Sequence, residues 1–321
     1  MSMIWKEYLL RITNKLKEYL KGDIQYSNMP RSEIRRIAWR EIELFIEDFK
    51  KWSPEKLILN ENKKINLADQ NKLVVFLNKR QKGIPLAHIL KKQQFYGLEF
   101  EVNKHTLIPR PETEELVEYV LHFVGTGFKP APTRDMNIIL IDIGTGSGCI
   151  LTAILKNLPG KVNFSEIYAV DKSRKALKTA EKNIKKHLGK TYKVNFIQGS
   201  LLQYVPRRGG FETRPYIKRY VIVANLPYLS EKEYQNLSPE VKNQEPKSAL
   251  VGGEEGHELI CKLIDQARAK MKCFEIFLEI SPAILPKIKE HLAELDVPLK
   301  QKIKHDLNGK ARILHVSSTS E

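Results

Sequence analysis

Four consecutive residues, Asn225-Leu226-Pro227-Tyr228, combine the groups needed to hold a planar amino group. An Asn side chain offers an amide oxygen that accepts a hydrogen bond from an NH2. Pro227 drives Leu226 into an extended conformation, which can aim the Leu226 carbonyl as a second acceptor. Tyr228 supplies a flat face to stack on the same group. Two acceptors and a ring suit a carboxamide or an exocyclic amine as the group acted upon. The same residues also make an ordinary strand-to-loop turn, because Asn and Pro are common there.

A second motif shifts the balance toward chemistry. Gly144-Thr145-Gly146-Ser147-Gly148 follows the apolar run Asn137–Ile143 and precedes a helical pattern from Cys149 to Leu155. Strand, glycine loop and helix open a nucleotide-binding βα unit. Glycines let the backbone turn sharply and come close to a ligand. Asp171 ends another short apolar run, about 20 residues beyond the loop, where an acid takes two ribose hydroxyls. The glycines fall as G-x-G-x-G, with Asp142 just ahead, so the spacing differs from the dinucleotide pattern G-x-G-x-x-G.

These residues need strands to place them. The run Tyr220–Ala224 reads as a buried parallel strand, which puts Asn225 at its carboxyl end. Open α/β sheets hold ligands beyond such ends. From residue 108 to the C-terminus strands and helices alternate, which predicts an α/β domain with a mostly parallel, Rossmann-like sheet. Residues 1–92 read as a small helical bundle: Ile4, Tyr8, Ile12, Leu16 and Tyr19 recur at helical spacing, as do Ile34, Ala38, Ile42, Phe45 and Phe49. Leu73, Phe76, Leu77 and Arg80 continue the pattern. Residues 93–107 form a linker built around a β-hairpin at Gly97. Ile108-Pro109-Arg110-Pro111-Glu112-Thr113-Glu114 then gives a stiff lead into a helix with acids in its first turn. Two Gly/Pro-rich stretches, 125–133 and 206–215, read as exposed insertions.

The 321 residues carry a formal charge of +16. Residues 1–92 hold 20 Lys+Arg against 11 Asp+Glu, so +9 of that charge lies in less than a third of the chain. Such a balance fits an acidic or nucleic-acid-bearing partner, and equally a solvated Lys-rich surface. The three cysteines form no CxxC pair, which predicts a reducing compartment and no metal site. No run of 18 apolar residues occurs and the N-terminus lacks a signal-peptide core, so the expectation is a cytoplasmic protein with no membrane partner.

Seven motifs appear in order: Pro85–Leu90, Phe95–Leu98, Ile108–Glu114, Asp142–Gly148, Asn225–Tyr228, Glu245–Gly256 and Asp306–Arg312. Together they resemble the HemK/PrmC family, the peptide chain release factor glutamine N5-methyltransferases, over about residues 30–316. The glycine loop is similar to that of class I methyltransferases. The resemblance implies S-adenosyl-L-methionine as cofactor, held by Gly144, Thr145, Gly146, Ser147, Gly148, Asp171, Leu201 and Asn225. It implies Asn225, Leu226, Pro227 and Tyr228 as the catalytic set, which also contacts substrate together with Arg110 and Glu112. The implied substrate is the Gln of the Gly-Gly-Gln loop in bacterial-type release factors of types 1 and 2, and nucleic acid contact is allowed but not required. Leu226 stands where the family usually has Pro, and Gln198–Leu202 lacks the family's usual acid and aromatic near the adenine.

Two other readings stay open at this point. Asn-Leu-Pro-Tyr is also similar to the motif of RNA adenine-N6 methyltransferases, whose substrate is another planar NH2. A cofactor-binding interaction protein without turnover is the reading from a different class.

Overall fold

The computed structural model describes residues 3–126, 136–159, 162–206 and 217–318. Most of both Gly/Pro-rich stretches, 127–133 and 207–215, lies outside the described residues. The chain divides into two compact units. One comprises Met1–Lys91 with Leu237–Gln244, the other Lys92–Asn236 with Glu245–Glu321.

The first unit is helical. Helices α1 (Trp5–Lys21), α2 (Arg31–Lys50), α3 (Pro54–Asn60), α4 (Leu67–Gln81) and α5 (Leu86–Leu90) follow the expected stripes. Leu9, Ile12 and Leu16 of α1 meet Ile34, Ala38 and Ile42 of α2 and Leu73 and Phe76 of α4 in one apolar cluster. Side-chain caps fix two starts: Ser53 Oγ accepts from the Lys56 amide at 3.3 Å, and Asn66 Oδ1 accepts from the Asp69 amide at 2.8 Å. Arg80 falls on the apolar stripe and is only 1% exposed. Its guanidinium donates twice to Glu41, at 2.7 and 3.0 Å, and pairs with Glu240 at 3.0 Å. Glu240 belongs to a short helix, Pro239–Gln244, far along the chain. The sequence pattern predicts those residues for the second domain; they cluster instead with the first unit, where Glu240 pairs with the buried Arg80.

The second unit starts with a hairpin of β1 (Lys92–Phe95) and β2 (Leu98–Glu101), then helix α6 (Glu114–Gly125). The succession continues β3 (Met136–Ile143), α7 (Cys149–Lys156), β4 (Glu166–Asp171), α8 (Arg174–Leu188), β5 (Val194–Gln198), β6 (Ile217–Ala224), β7 (Leu229–Ser230) and α9 (Glu231–Gln235). After α10, the Pro239–Gln244 helix, come β8 (Val251–Gly253), α11 (Glu258–Lys270), β9 (Phe274–Glu279), α12 (Leu285–Ala293), β10 (Lys300–His305) and β11 (Ala311–Ser317). Seven strands form one sheet in the order β10-β11-β9-β6-β3-β4-β5. All pairings among β9, β6, β3, β4 and β5 are parallel; those of β11 are antiparallel.

Both faces of this sheet are covered, so its central strands are apolar almost throughout. Successive side chains alternate between two clusters. Ile139, Ile141, Ile222 and Leu278 face α11 and α12, whereas Ile138, Leu140, Val221 and Phe277 face α6, α7 and α8. Each such side chain contributes about 1.5–3 kcal/mol on burial. Asp142 is fully buried in this apolar run and marks the site, and Glu275 and Glu279 are buried on β9.

Candidate active site

Parallel register brings four strand ends to one level. Ile143 pairs with Val170 and with Ala224, and Ala224 pairs with Leu278. The next residues on β3, β4, β6 and β9 are therefore Gly144, Asp171, Asn225 and Glu279. From β3 the chain winds outward one way through β4 and β5 and the other way through β6 and β9. A crevice opens at such a reversal. Here it is a cavity of about 130 Å³, lined by the residues of these strand ends.

The glycine loop folds around β4. Gly144, Gly146 and Gly148 have φ of 73°, 54° and 78°, where a Cβ would be strained. The amides of Gly144 and Thr145 donate to the Val170 carbonyl at 2.8 and 3.0 Å. Asp171 ties the loop from the other side: Oδ2 accepts from the Gly146 amide at 3.0 Å and Oδ1 from the Ser173 amide at 2.8 Å. Burial raises the Asp171 carboxyl above its ordinary range, while these two amides oppose the rise. Asp142 lies beneath. Thr145 Oγ1 donates to its Oδ2 at 2.6 Å, and burial pushes its carboxyl up to about 7, with the neighbouring Asp171 charge adding to the rise.

Asn225 is anchored at its nitrogen end. Its Nδ2 donates to Thr113 Oγ1 at 3.0 Å. Glu279, beside Asn225 in the strand-end row, is buried, and that burial pushes its carboxyl up to about 7. The Leu226 side chain is buried, with Cδ2 3.4 Å from where a Cβ on Gly144 would lie, so Leu fills the space beside the glycine loop.

Two sequence boxes meet at the rim. Arg110 pairs with Glu245, whose side chain is 1% exposed and whose Oε2 also accepts from the Ile108 amide at 3.1 Å. β8 packs on the loop after β6, where the Leu229 amide donates to the Leu250 carbonyl at 3.0 Å. Gly252 is required by that approach, because a Cβ there would fall 2.3 Å from the carbonyl oxygens of both Pro227 and Gly256.

Arg110, Gly144, Thr145, Gly146, Ser147, Asp171, Leu201, Asn225, Leu226 and Pro227 all line the cavity. Leu201 does so at φ 52°, a left-handed conformation uncommon for a residue with a side chain. The remaining three expected residues sit elsewhere. Gly148 caps α7 and packs against Ala180, Glu112 is exposed, and Tyr228 packs against the apolar core with its hydroxyl pushed up to about 12 by burial. Sequence reasoning missed Thr113 as a partner of Asn225, and it missed Glu279. A usable signal existed for Glu279: the apolar run Phe274–Leu278 ends in an acid, as the β4 run does at Asp171. The cavity thus offers a carboxylate for hydroxyl groups, bare glycine backbone, and apolar cover from Ile143, Ile150 and Leu201. This donor set fits a nucleoside carrying a charged, flexible side chain.

A mostly parallel seven-stranded sheet with this strand-end row defines a class I S-adenosylmethionine-dependent methyltransferase. The hMettl16 catalytic domain, solved with the MAT2A 3'UTR hairpin 6, shares the fold at a TM-score of 0.51 and 18% identity, over 70% of this chain and 77% of that one. Residues 134–234 match the family model of a methyltransferase domain, and residues 34–90 match that of the PrmC N-terminal domain. A release factor glutamine methyltransferase of Bacillus anthracis is 33% identical over 260 residues, covering 80% of this chain and 85% of that protein. Another, from Dictyoglomus turgidum, is 34% identical over 297 residues, 90% and 89% of the two chains. The chain belongs to the release factor glutamine methyltransferase family.

Proposed function

We propose that this protein transfers a methyl group from S-adenosyl-L-methionine to the side-chain amide nitrogen of the Gln in the Gly-Gly-Gln motif of peptide chain release factors of types 1 and 2. The observation that carries the reading is Asn225 at the strand-end row with its Nδ2 committed to Thr113. That leaves Oδ1 as an acceptor for an NH2.

When bound, S-adenosylmethionine supplies an electrophilic methyl on a sulfonium. Asp171 would take hydroxyl groups of its ribose, Gly144 to Ser147 would wrap it with backbone, and Leu201 would cover a ring face. The amide nitrogen of Gln is a poor nucleophile, because its lone pair is delocalised into the carbonyl. Rate then comes from positioning, which can supply about 7–11 kcal/mol of a barrier. Asn225 Oδ1 and the Leu226 carbonyl accept the two N–H bonds of the Gln amide. Those bonds strengthen as positive charge develops on nitrogen. Pro227 keeps the Leu226 carbonyl aimed. Arg110, held by Glu245, closes the rim, and Glu112 and Tyr228 act from outside the cavity lining, on the release factor side. The basic helical unit grips the release factor, and the reaction takes place in the cytoplasm.

Methyl transfer from labelled cofactor tests this directly, with a purified release factor, its Gln→Ala loop variant and ribosomal RNA offered side by side. Label on the wild-type factor alone is expected. Label on RNA alone would replace this reading by adenine methylation.

A further inference from the structure

Two walls of the cavity, the glycine loop at Ser147 and the segment His105-Thr106-Leu107, are tied to one face of α8. Thr179 and Asn183 stand one turn apart on that helix and so share a face. Both are buried, at 4% and 1% exposed, and neither is among the residues that line the cavity. Asn183 Oδ1 accepts from the Glu101 amide at 2.8 Å. Its Nδ2 donates to the carbonyls of Glu101 and Ser147, both at 2.9 Å. An Asn side chain has one acceptor end and one donor end. Turned round, it would set its oxygen against two carbonyls and its NH2 against an N–H, so these partners admit a single orientation. Asn183 thereby joins the end of β2 to the glycine loop. One turn away, Thr179 Oγ1 accepts from Asn103 Nδ2 at 2.9 Å. Asn103 builds the turn that follows β2: its Oδ1 accepts from the His105 amide at 3.0 Å, and its carbonyl accepts from the Thr106 amide at 3.0 Å. Between the two polar residues, Ala180 Cα and Cβ lie 3.1 Å from where a Cβ on Gly148 would stand, so the end of the loop rests on the same face.

We propose that Asn183 is a positioning residue for the cofactor, which with Thr179 sets the spacing between the glycine loop and the 105–107 segment and hence the affinity for S-adenosyl-L-methionine. The proposal rests on the cofactor reading of the cavity and is independent of which NH2 receives the methyl group. With its donors lost, the Ser147 carbonyl is left buried without its Asn183 partner and must turn to find another. That turn moves the loop backbone that would wrap the cofactor. The row of Asn225 and Leu226 lies on a different strand end and keeps its place, so the loss should fall on cofactor binding rather than on the transfer step. A role in folding alone would do the opposite: it would lower the melting temperature and the active fraction, and leave the affinity of the folded molecules unchanged.

The test compares wild type, Asn183→Asp, Thr179→Val and Thr179→Ser in the full chain. It reads the Kd for S-adenosyl-L-methionine by titration calorimetry, thermal unfolding, and the split between kcat and the KM for each substrate. Asn183→Asp keeps the acceptor for the Glu101 amide and removes both donors. It is expected to raise the Kd and KM for the cofactor about tenfold, the upper end of what one hydrogen bond contributes net. The KM for the release factor should not move, and kcat at saturating cofactor should stay within about threefold of wild type, the same net hydrogen-bond scale setting the bound. Thr179→Val should raise the cofactor Kd in the same direction, and Thr179→Ser, which keeps the hydroxyl, should restore it. A wild-type cofactor Kd in folded Asn183→Asp overturns the proposal, as does a fall in kcat with the cofactor KM unchanged. If Asn183→Asp does not fold, a wild-type cofactor Kd in Thr179→Val overturns it. Calorimetry needs no release factor, so inactivity of the wild-type enzyme on that substrate would sink the substrate reading while the cofactor measurement still decides this one.

Discussion

Gly252→Ala adds a single methyl group and should disable turnover without disturbing cofactor binding. The new Cβ would lie 2.3 Å from both the Pro227 and the Gly256 carbonyl oxygens, where ordinary contact begins at 3.4 Å. Relief requires a displacement of about 1.1 Å from each of the two carbonyl oxygens. The φ of Gly252 is not in the left-handed region, so Ala is tolerated by the backbone itself and the effect is steric. In the proposed mechanism Pro227 aims the Leu226 carbonyl, so the shift would fall on the acceptor pair. A misplacement of about 1 Å costs on the order of 10²-fold in rate. The glycine loop and Asp171 belong to other elements and should hold the cofactor as before. Overpacking of this kind costs about 1–3 kcal/mol, or about 2–4 °C per kcal/mol in a domain of this size. Steady-state methyl transfer, cofactor titration calorimetry and thermal unfolding on one preparation would separate these effects. Turnover within threefold of wild type would show that the loop yields freely and that its placement is not what sets the rate.

Asn225→Ala should lose on the order of 10²–10³ in kcat, as for loss of one oxyanion-hole donor, with cofactor affinity retained; near-normal turnover in a radiolabel assay would remove Asn225 from the mechanism. Asp142 and Glu279, both raised to about 7, hold protons in the folded chain that the unfolded chain has released. Their contribution is full below about pH 4 and is lost as pH rises to about 7, each group giving up about 1.4 kcal/mol for every pH unit crossed in that window. Urea midpoints should reveal it as a shallower pH slope in Asp142→Asn, and an unchanged slope would contradict the assignment. Arg80→Met leaves Glu41 and Glu240 buried and unneutralised and should cost about 3–5 kcal/mol in urea unfolding; a wild-type midpoint would show that water reaches them.

What could be read in the sequence was what local pattern dictates. The apolar runs before Gly144, Asp171 and Asn225 are strands because both faces of the sheet are covered, and their ends share a level because parallel pairing keeps register. The stripes of α1, α2 and α4 were equally legible. Contacts between distant segments were not. Glu245 and Arg110 lie 135 positions apart, and nothing in either box names the other as partner. Thr113 looked like part of a helix start, yet it faces Asn225. Tyr228 shows the limit from the other side: local pattern gave no sign that its ring also packs partly against the apolar core. Arg80 was visible on an apolar stripe, where a charge requires partners, although only Glu41 lay within the same stretch of chain.

The crossing of Leu237–Gln244 into the helical unit bears on how this protein can be inherited and recombined. The chain passes between the units after Lys91, after Asn236 and again after Gln244. A gene fragment encoding residues 1–91 therefore carries Glu41 and Arg80 but leaves Glu240 behind. Chimeras that exchange this fragment between relatives should survive only when the incoming residue at position 80 suits the resident one at 240. The helical unit would then diverge together with a short stretch of sequence encoded about 150 codons away, only a few residues beyond Tyr228.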